Sequence, residues 1–162
     1  MASNEARAPP PQLVEQIVRA VRSVDSLISK VQTAWASALG LTVPQWNILV
    51  IVAEAHERGG LQVKSVAEVL RVNGSFIVNQ SRPLEDLGLI RRKSSSTDKR
   101  VVYLIATPKA LKELARLQES RDAVTASIKN EMGEAATLHT IELLQQLERC
   151  IARCRLRLQI ED

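Results

Sequence analysis

Apolar residues recur along the first third of the chain at alternating steps of four and three: Ile17, Val21, Val24, Ile28, Val31, Trp35 and Ala38. Steps of that size return to one face of an α-helix, so the spacing predicts a helix over residues 12–40, ended by Gly40. The stripe is narrower and longer than a compact domain of this size needs internally. A helix from a second copy of the chain is its natural cover, with packing on its own chain as the alternative. A similar stripe closes the sequence: Leu144, Leu147, Ile151, Cys154 and Leu158, in a helix expected from about Thr137 to Ile160. Before it, Thr107-Pro108 opens a long helix to about Met132, and Gly133 breaks it.

The middle of the chain has shorter periods. Thr42-Val43-Pro44-Gln45 reads as a capped helix start, and Trp46, Leu49, Val50 and Ala53 give a helix to about Glu57, stopped by Gly59-Gly60. A very short strand at Leu61-Gln62 precedes a compact helix, Val63 to Leu70. Asn73-Gly74-Ser75 then supplies a turn and cap for a helix to about Leu87, closed by Gly88. Two helices joined by about three residues have the shape of a helix-turn-helix. The chain is next strand-like at Leu89 to Arg92, polar from Lys93 to Lys99, and β-branched and apolar from Arg100 to Ile105, the pattern of a hairpin. A helix-turn-helix followed at once by a basic hairpin is a winged helix. The fold class expected is mainly α with a small β-hairpin: a disordered lead (1–11), an N-terminal dimerisation helix (12–40), a winged helix-turn-helix domain (41–107) and C-terminal dimerisation helices (108–162).

Charge sharpens this picture. From Arg71 to Arg100 seven basic residues face three acidic ones, a net +4 equal to that of the whole chain, so the rest is neutral. A local basic excess is the footprint of a polyanion, unless it is only a solvated face; its place on helix-turn-helix and hairpin favours double-stranded DNA. The helix after the turn buries Ile77, Ser81 and Leu84 and presents Ser75, Phe76, Val78, Asn79 and Arg82. Asn79 suits adenine, Arg82 guanine or phosphate, and Phe76 or Val78 a thymine methyl. Pro83 lies inside this helix and should kink it. On the hairpin, Asp98 and Arg100 stand two apart and can pair, aiming Arg100 at a minor groove, or they form a plain surface ion pair. Arg91, Arg92, Lys93 and Lys99 suit phosphates, which position without specifying.

Other chemistry finds little support. The polar, proline-rich lead lacks the apolar stretch of a signal peptide, and no run is long enough to span a membrane; the expected setting is cytoplasmic. Cys150 and Cys154 have no second pair to complete a zinc site or a disulfide framework, and read as small buried hydrophobes or, less simply, as a redox pair. His56 and His139 have no ligand partners at metal spacing, and no phosphate loop, nucleophile elbow or His-Glu-x-x-His motif occurs. No cofactor or metal is expected, and no enzymatic activity.

Leu41-Thr42 with Gln45-Trp46, Leu84-Glu85 with Gly88-Leu89-Ile90, and Asp98-Lys99-Arg100 together resemble the MarR family of multiple-antibiotic-resistance-type regulators over Leu41 to Ala110. Asn79 departs from the family, standing where many members carry arginine. The resemblance implies a homodimer with intertwined terminal helices, a palindromic operator, and a small aromatic or phenolic effector that loosens DNA binding. Its pocket would lie between the dimerising helices and the winged helix, near Trp35 and Trp46. A transcriptional repressor is the reading this supports; a winged-helix protein-interaction module without specific DNA binding is the alternative, and would not need Arg82, Arg100 and the hairpin lysines on one face.

Overall fold

The computed structural model describes residues 10–158, so most of the polar lead and the expected helix end at Ile160 lie outside the described residues. The chain divides into two compact units, one up to Trp46 and one from Asn47 onward.

In the first unit, α1 (Pro11–Ala38) starts on a proline at its first position and ends where Gly40 turns left-handed (φ 68°) and the Leu41 amide reaches back to the Ala36 carbonyl. Proline presets the helical φ, and glycine tolerates the left-handed exit. Ile17, Val21, Val24 and Ile28 stand 39–55% exposed, so most of the stripe has no cover in the single chain. α2 (Val43–Glu54) opens on the reciprocal pair read from the sequence: the Thr42 amide donates to Gln45 Oε1 at 3.0 Å and the Gln45 amide to Thr42 Oγ1 at 3.4 Å.

In the second unit the expected continuation of α2 to Glu57 is a tighter 3₁₀ turn, His56–Arg58. The amides of Gly59 and Gly60 bond the carbonyls of His56 and Ala55 and draw this last turn in. Then come β1 (Leu61–Gln62), α3 (Val63–Leu70), α4 (Gly74–Asp86), β2 (Ile90–Ser94), β3 (Val102–Ala106), α5 (Pro108–Arg116) and α6 (Gln118–Arg157). The strands form one antiparallel sheet in the order β1-β3-β2, with Ile90 opposite Ala106 and Leu61 opposite Leu104. β2 begins one residue later than its hydrophobic pattern suggests, although the Thr107 amide still bonds the Leu89 carbonyl across the hairpin. Thr107 also caps α5 through the Ala110 amide (3.2 Å) and donates its hydroxyl to Gly88 O (2.7 Å), joining the end of the hairpin to the end of α4.

The expected helix from 108 to 132 is divided at Leu117 (φ −96°, ψ 0°), with no glycine or proline to announce it. Gly133 (φ 70°, ψ 168°) does interrupt the helical run of α6, as its residue type foretells. Beyond it Leu144, Ile151 and Leu158 are 49–69% exposed. Cys150 and Cys154 are exposed free thiols rather than the buried hydrophobes expected, because this stripe is uncovered in the single chain. The core of the second unit is Ile48, Leu49, Val52, Val66, Ile77, Leu84, Ile90 and Leu104. Among the described residues no single helix is long and apolar enough to cross a membrane.

Gly60 and Gly59 separate two effects. A Cβ on Gly60 would stand 2.2 Å from the Leu104 carbonyl oxygen at φ 93°, whereas one on Gly59, at φ 84°, meets nothing within 4 Å. Gly59→Ala should therefore cost about 1–2 kcal/mol, the left-handed penalty alone. Gly60→Ala must also part β1 from β3 and should cost more, about 3 kcal/mol or above. Urea denaturation of the two variants measures the difference, and equal losses would contradict the clash.

Candidate nucleic-acid interface

Three positions hold α4 against its own unit: Ile77, Ser81 and Leu84 are fully buried. Ser81 is tolerated there because its hydroxyl donates to the Val78 carbonyl at 3.1 Å, so no polar group goes unpaired. A helix anchored by so narrow a stripe leaves the rest of its circumference outside. Ser75, Asn79 and Arg82 are exposed, and Phe76 and Val78 half-buried. The start of the helix is fixed by Asn73, whose Oδ1 accepts from the Phe76 amide at 2.7 Å and from the Ser75 hydroxyl at 2.8 Å. One of the residues expected to meet DNA, Ser75, therefore also completes the cap. α4 runs on through Pro83 as one helix; the ring removes the bond to the Asn79 carbonyl.

The hairpin carries the second group. Along β2, Arg91 and Lys93 are exposed, while Arg92 is half-buried and its amide donates to Glu85 Oε1 on α4 at 3.1 Å. Alternation places Arg91 and Lys93 on one face of the strand and Arg92 on the other. The loop between the strands closes on itself: the Ser95 amide bonds Val101 O (2.8 Å), the Val101 amide bonds Asp98 O (3.0 Å), and the Thr97 amide bonds Ser95 Oγ (3.2 Å). Asp98 does not form the expected side-chain pair with Arg100. Its Oδ1 accepts from the Arg100 backbone amide at 2.9 Å, an Asx-type turn that fits a short loop better than two long side chains laid side by side. Asp98 thus shapes the loop that carries Lys99 and Arg100, which are both exposed.

α3, the start of α4 and the hairpin border a groove of about 830 Å³. α3 lines it with Val63, Lys64, Ala67 and Glu68, the turn and the start of α4 with Arg71, Val72, Gly74 and Val78, and the hairpin with Arg100, Val101 and Val102; Lys64, Arg71, Arg100 and Arg155 outnumber the single carboxylate of Glu68. The sequence alone singles out neither Lys64 nor Arg71 as a site residue. Arg71 is marked there only as the start of the basic stretch, and Lys64 lies outside it. Trp35 and Trp46 form a tilted ring pair with centroids 5.8 Å apart, Trp46 being buried. A separate cavity of about 260 Å³ includes Val50, Ala53, Glu54, Leu111, Leu114 and Arg121. Neither cavity includes either tryptophan. Among the described residues no cluster of three or more His, Cys, Asp or Glu could hold a metal ion.

The model of the MarR family matches residues 41–102. A protein of Thauera aromatica named for transcriptional regulation of its hcr operon is 30% identical over 110 residues, which is 68% of this chain; the chain spans 64% of that relative's length. Among solved structures, the MepR–DNA complex of S. aureus is similar with a TM-score of 0.71 and 19% identity, over 82% of this chain and 96% of MepR. CouR of Rhodococcus jostii RHA1 bound to p-coumaroyl-CoA is similar with a TM-score of 0.72 and 21% identity, over 85% and 95%.

Two local geometries are open to measurement. Asn73→Ala removes the acceptor for the Phe76 amide and should cost about 1 kcal/mol, while Asn73→Ser or Asn73→Asp should be close to neutral. Asp98→Ala should leave global stability within about 1 kcal/mol. It should nonetheless speed amide hydrogen exchange between Ser95 and Val101; unchanged exchange there would show that the carboxylate does not hold the loop.

Proposed function

We propose, from the match of residues 41–102 to the MarR family model, that the chain is a sequence-specific regulator of transcription, binding a near-palindromic DNA operator as a homodimer. The observation that carries this is the outward face of α4 standing beside the basic hairpin, across a groove to which Val78 contributes from one and Arg100 from the other. A helix of this kind enters the major groove and reads base edges with its first residues. Ser75, Phe76, Val78, Asn79 and Arg82 take that role. Arg100 enters the adjacent minor groove, on a loop shaped by Asp98, while Arg91, Lys93 and Lys99 meet phosphates; Arg92, half-buried on the other face of β2, is less well placed to do so.

The dimer is supported by the apolar stripes of α1 and α6. Each exposes large residues over several turns, and monomers rarely leave contiguous apolar surface of that extent open. A second copy covers both stripes. Two-fold symmetry then sets the recognition helices about 34 Å apart, over half-sites about 10 base pairs apart. The relative named for the hcr operon supports regulation, and the MepR complex is one with DNA.

Repression is relieved, on this reading, by a small aromatic or phenolic ligand near Trp35 and Trp46. The p-coumaroyl-CoA bound to CouR supports it. Such an effector acts only by binding the DNA-competent and DNA-incompetent forms unequally. The setting is cytoplasmic and the chain performs no reaction of its own.

A gel shift with DNA from upstream of the chain's own gene tests the whole reading. Asn79→Ala should cost about 1–3 kcal/mol at the cognate site and little on other duplexes; if specific and non-specific affinity fell together, Asn79 would position rather than read. Inserting five base pairs between the half-sites turns them about half a helical turn apart and should leave only weak, salt-sensitive association. Tight binding that survived the insertion would refute the two-fold dimer.

A further inference from the structure

Arg71 is the one non-glycine residue with a positive φ among the described residues: φ 54°, ψ 45°. It sits in the turn between α3 and α4, a place where helix-turn-helix segments often use glycine, because a Cβ disfavours left-handed backbone. The backbone there does ordinary work, its amide closing the end of α3 on the Ala67 and Glu68 carbonyls, and glycine would do that with less strain. The side chain is 71% exposed, so it does not compensate by packing.

The side chain does have a position and a partner. It lines the groove bordered by α3, the start of α4 and the hairpin, together with Lys64, Glu68 and Arg100. If α4 occupies a major groove and the hairpin the next minor groove, the sugar-phosphate strand dividing the two grooves must cross the surface between them. Its partner is a carboxylate, Glu148 of α6, in an exposed ion pair. A guanidinium presents the same planar fork of donors to a carboxylate as to a phosphate. We propose that Arg71 is a phosphate contact aimed by its left-handed backbone, and that Glu148 competes with the DNA strand for it. This rests on the DNA-binding reading above and adds to it a clamp between the two reading elements, with a competitor supplied by the chain itself.

Glycine and asparagine both accept this backbone conformation, so Arg71→Gly and Arg71→Asn remove the guanidinium without endangering the turn; melting temperatures at or above that of the unsubstituted protein check this. The probe is a fluorescently labelled random-sequence duplex of about 30 base pairs, titrated by anisotropy across a series of KCl concentrations. Both variants should bind more weakly, and the slope of log affinity against log salt should flatten by about one for each phosphate no longer neutralised. Glu148→Gln should tighten binding about two- to fivefold at low salt, the span of a surface ion pair, and have no effect in the Arg71→Gly background.

Unchanged slope and affinity in both Arg71 variants, while Arg100→Ala weakens binding, would remove Arg71 from the interface and leave the DNA reading standing. If the unsubstituted protein showed no salt-dependent binding, the DNA reading would fail and the clamp with it. A Glu148→Gln gain of equal size in the Arg71→Gly background would overturn the competition, since it would then reflect only the loss of a negative charge nearby.

Discussion

The fold of the second unit depends on how little of α4 is buried. Ile77, Ser81 and Leu84 are spaced four and three apart and fully inaccessible, and burying two branched apolar side chains contributes about 3–6 kcal/mol in all. They anchor a helix of thirteen residues while leaving Ser75, Asn79 and Arg82 exposed. A wider apolar stripe would have held α4 more firmly, but its first two turns would then have been committed to the core. Ser81 belongs to the same economy: a small side chain that pairs with its own helix lets α4 lie close to its neighbours without a second element to satisfy it. The connections around α4 then limit its drift. Asn73 fixes where it starts, Glu85 accepts the Arg92 amide from β2, and Lys109 of α5 donates to the Leu87 carbonyl at 2.6 Å just beyond its end.

Features governed by local chemistry were legible in the sequence. The Thr42–Gln45 capping pair, the Asn73 cap, the left-handed exit at Gly40 and the break at Gly133 each announce themselves by a residue type whose preference is intrinsic. The buried face of α4 was legible for a related reason, since a helical period leaves few ways to arrange apolar residues in thirteen positions. The features that escaped were those in which tertiary packing overrides residue preference. Leu117 divides two helices with no breaker nearby, and only its surroundings can decide that. Asp98 stands two residues from Arg100, a spacing that places two side chains on one face in a regular strand; the loop is not a regular strand, and the nearer amide captured the carboxylate. Arg71 escaped because sequence patterns predict left-handed backbone from glycine and asparagine, and here an arginine occupies it.

The apolar stripes raise a different question, of sufficiency rather than legibility. The large side chains that form the core of the second unit are fully buried, yet Leu13, Val14, Ile17, Val21, Val24 and Leu27 on α1 are each about half exposed, as are Leu138, Leu143, Leu144 and Ile151 on α6. At roughly 25 cal/mol per Å², surface of this extent is a strong drive to association. A single chain therefore leaves unsatisfied much of the apolar surface that its own sequence patterned with a regular helical period. The period matters: scattered exposed hydrophobes are ordinary, whereas a continuous seam at steps of three and four specifies a helical partner.

In the proposed homodimer, association and DNA recognition are linked through concentration rather than through any single contact. One winged helix touches only a few base pairs, and its discrimination is set against a very large excess of competing genomic sites. Joining two copies through a seam of apolar residues makes the second recognition event intramolecular, so its effective concentration is fixed by the spacing of the two reading heads and not by the cellular concentration of the protein. For that gain to be realised the heads must be held rigidly. This is why the narrow anchoring of α4 and the self-closed hairpin loop matter beyond stability: each limits the angular freedom of a group that must meet its half of the operator in register. In the proposed dimer the apolar seams would supply the avidity, the anchored helix the register, and the basic residues between Arg71 and Arg100 an attraction that is long-ranged but indifferent to sequence. Under the proposed function, losing the seam or the register would leave only the sequence-indifferent attraction of the basic stretch, whereas losing that attraction would weaken binding to every duplex.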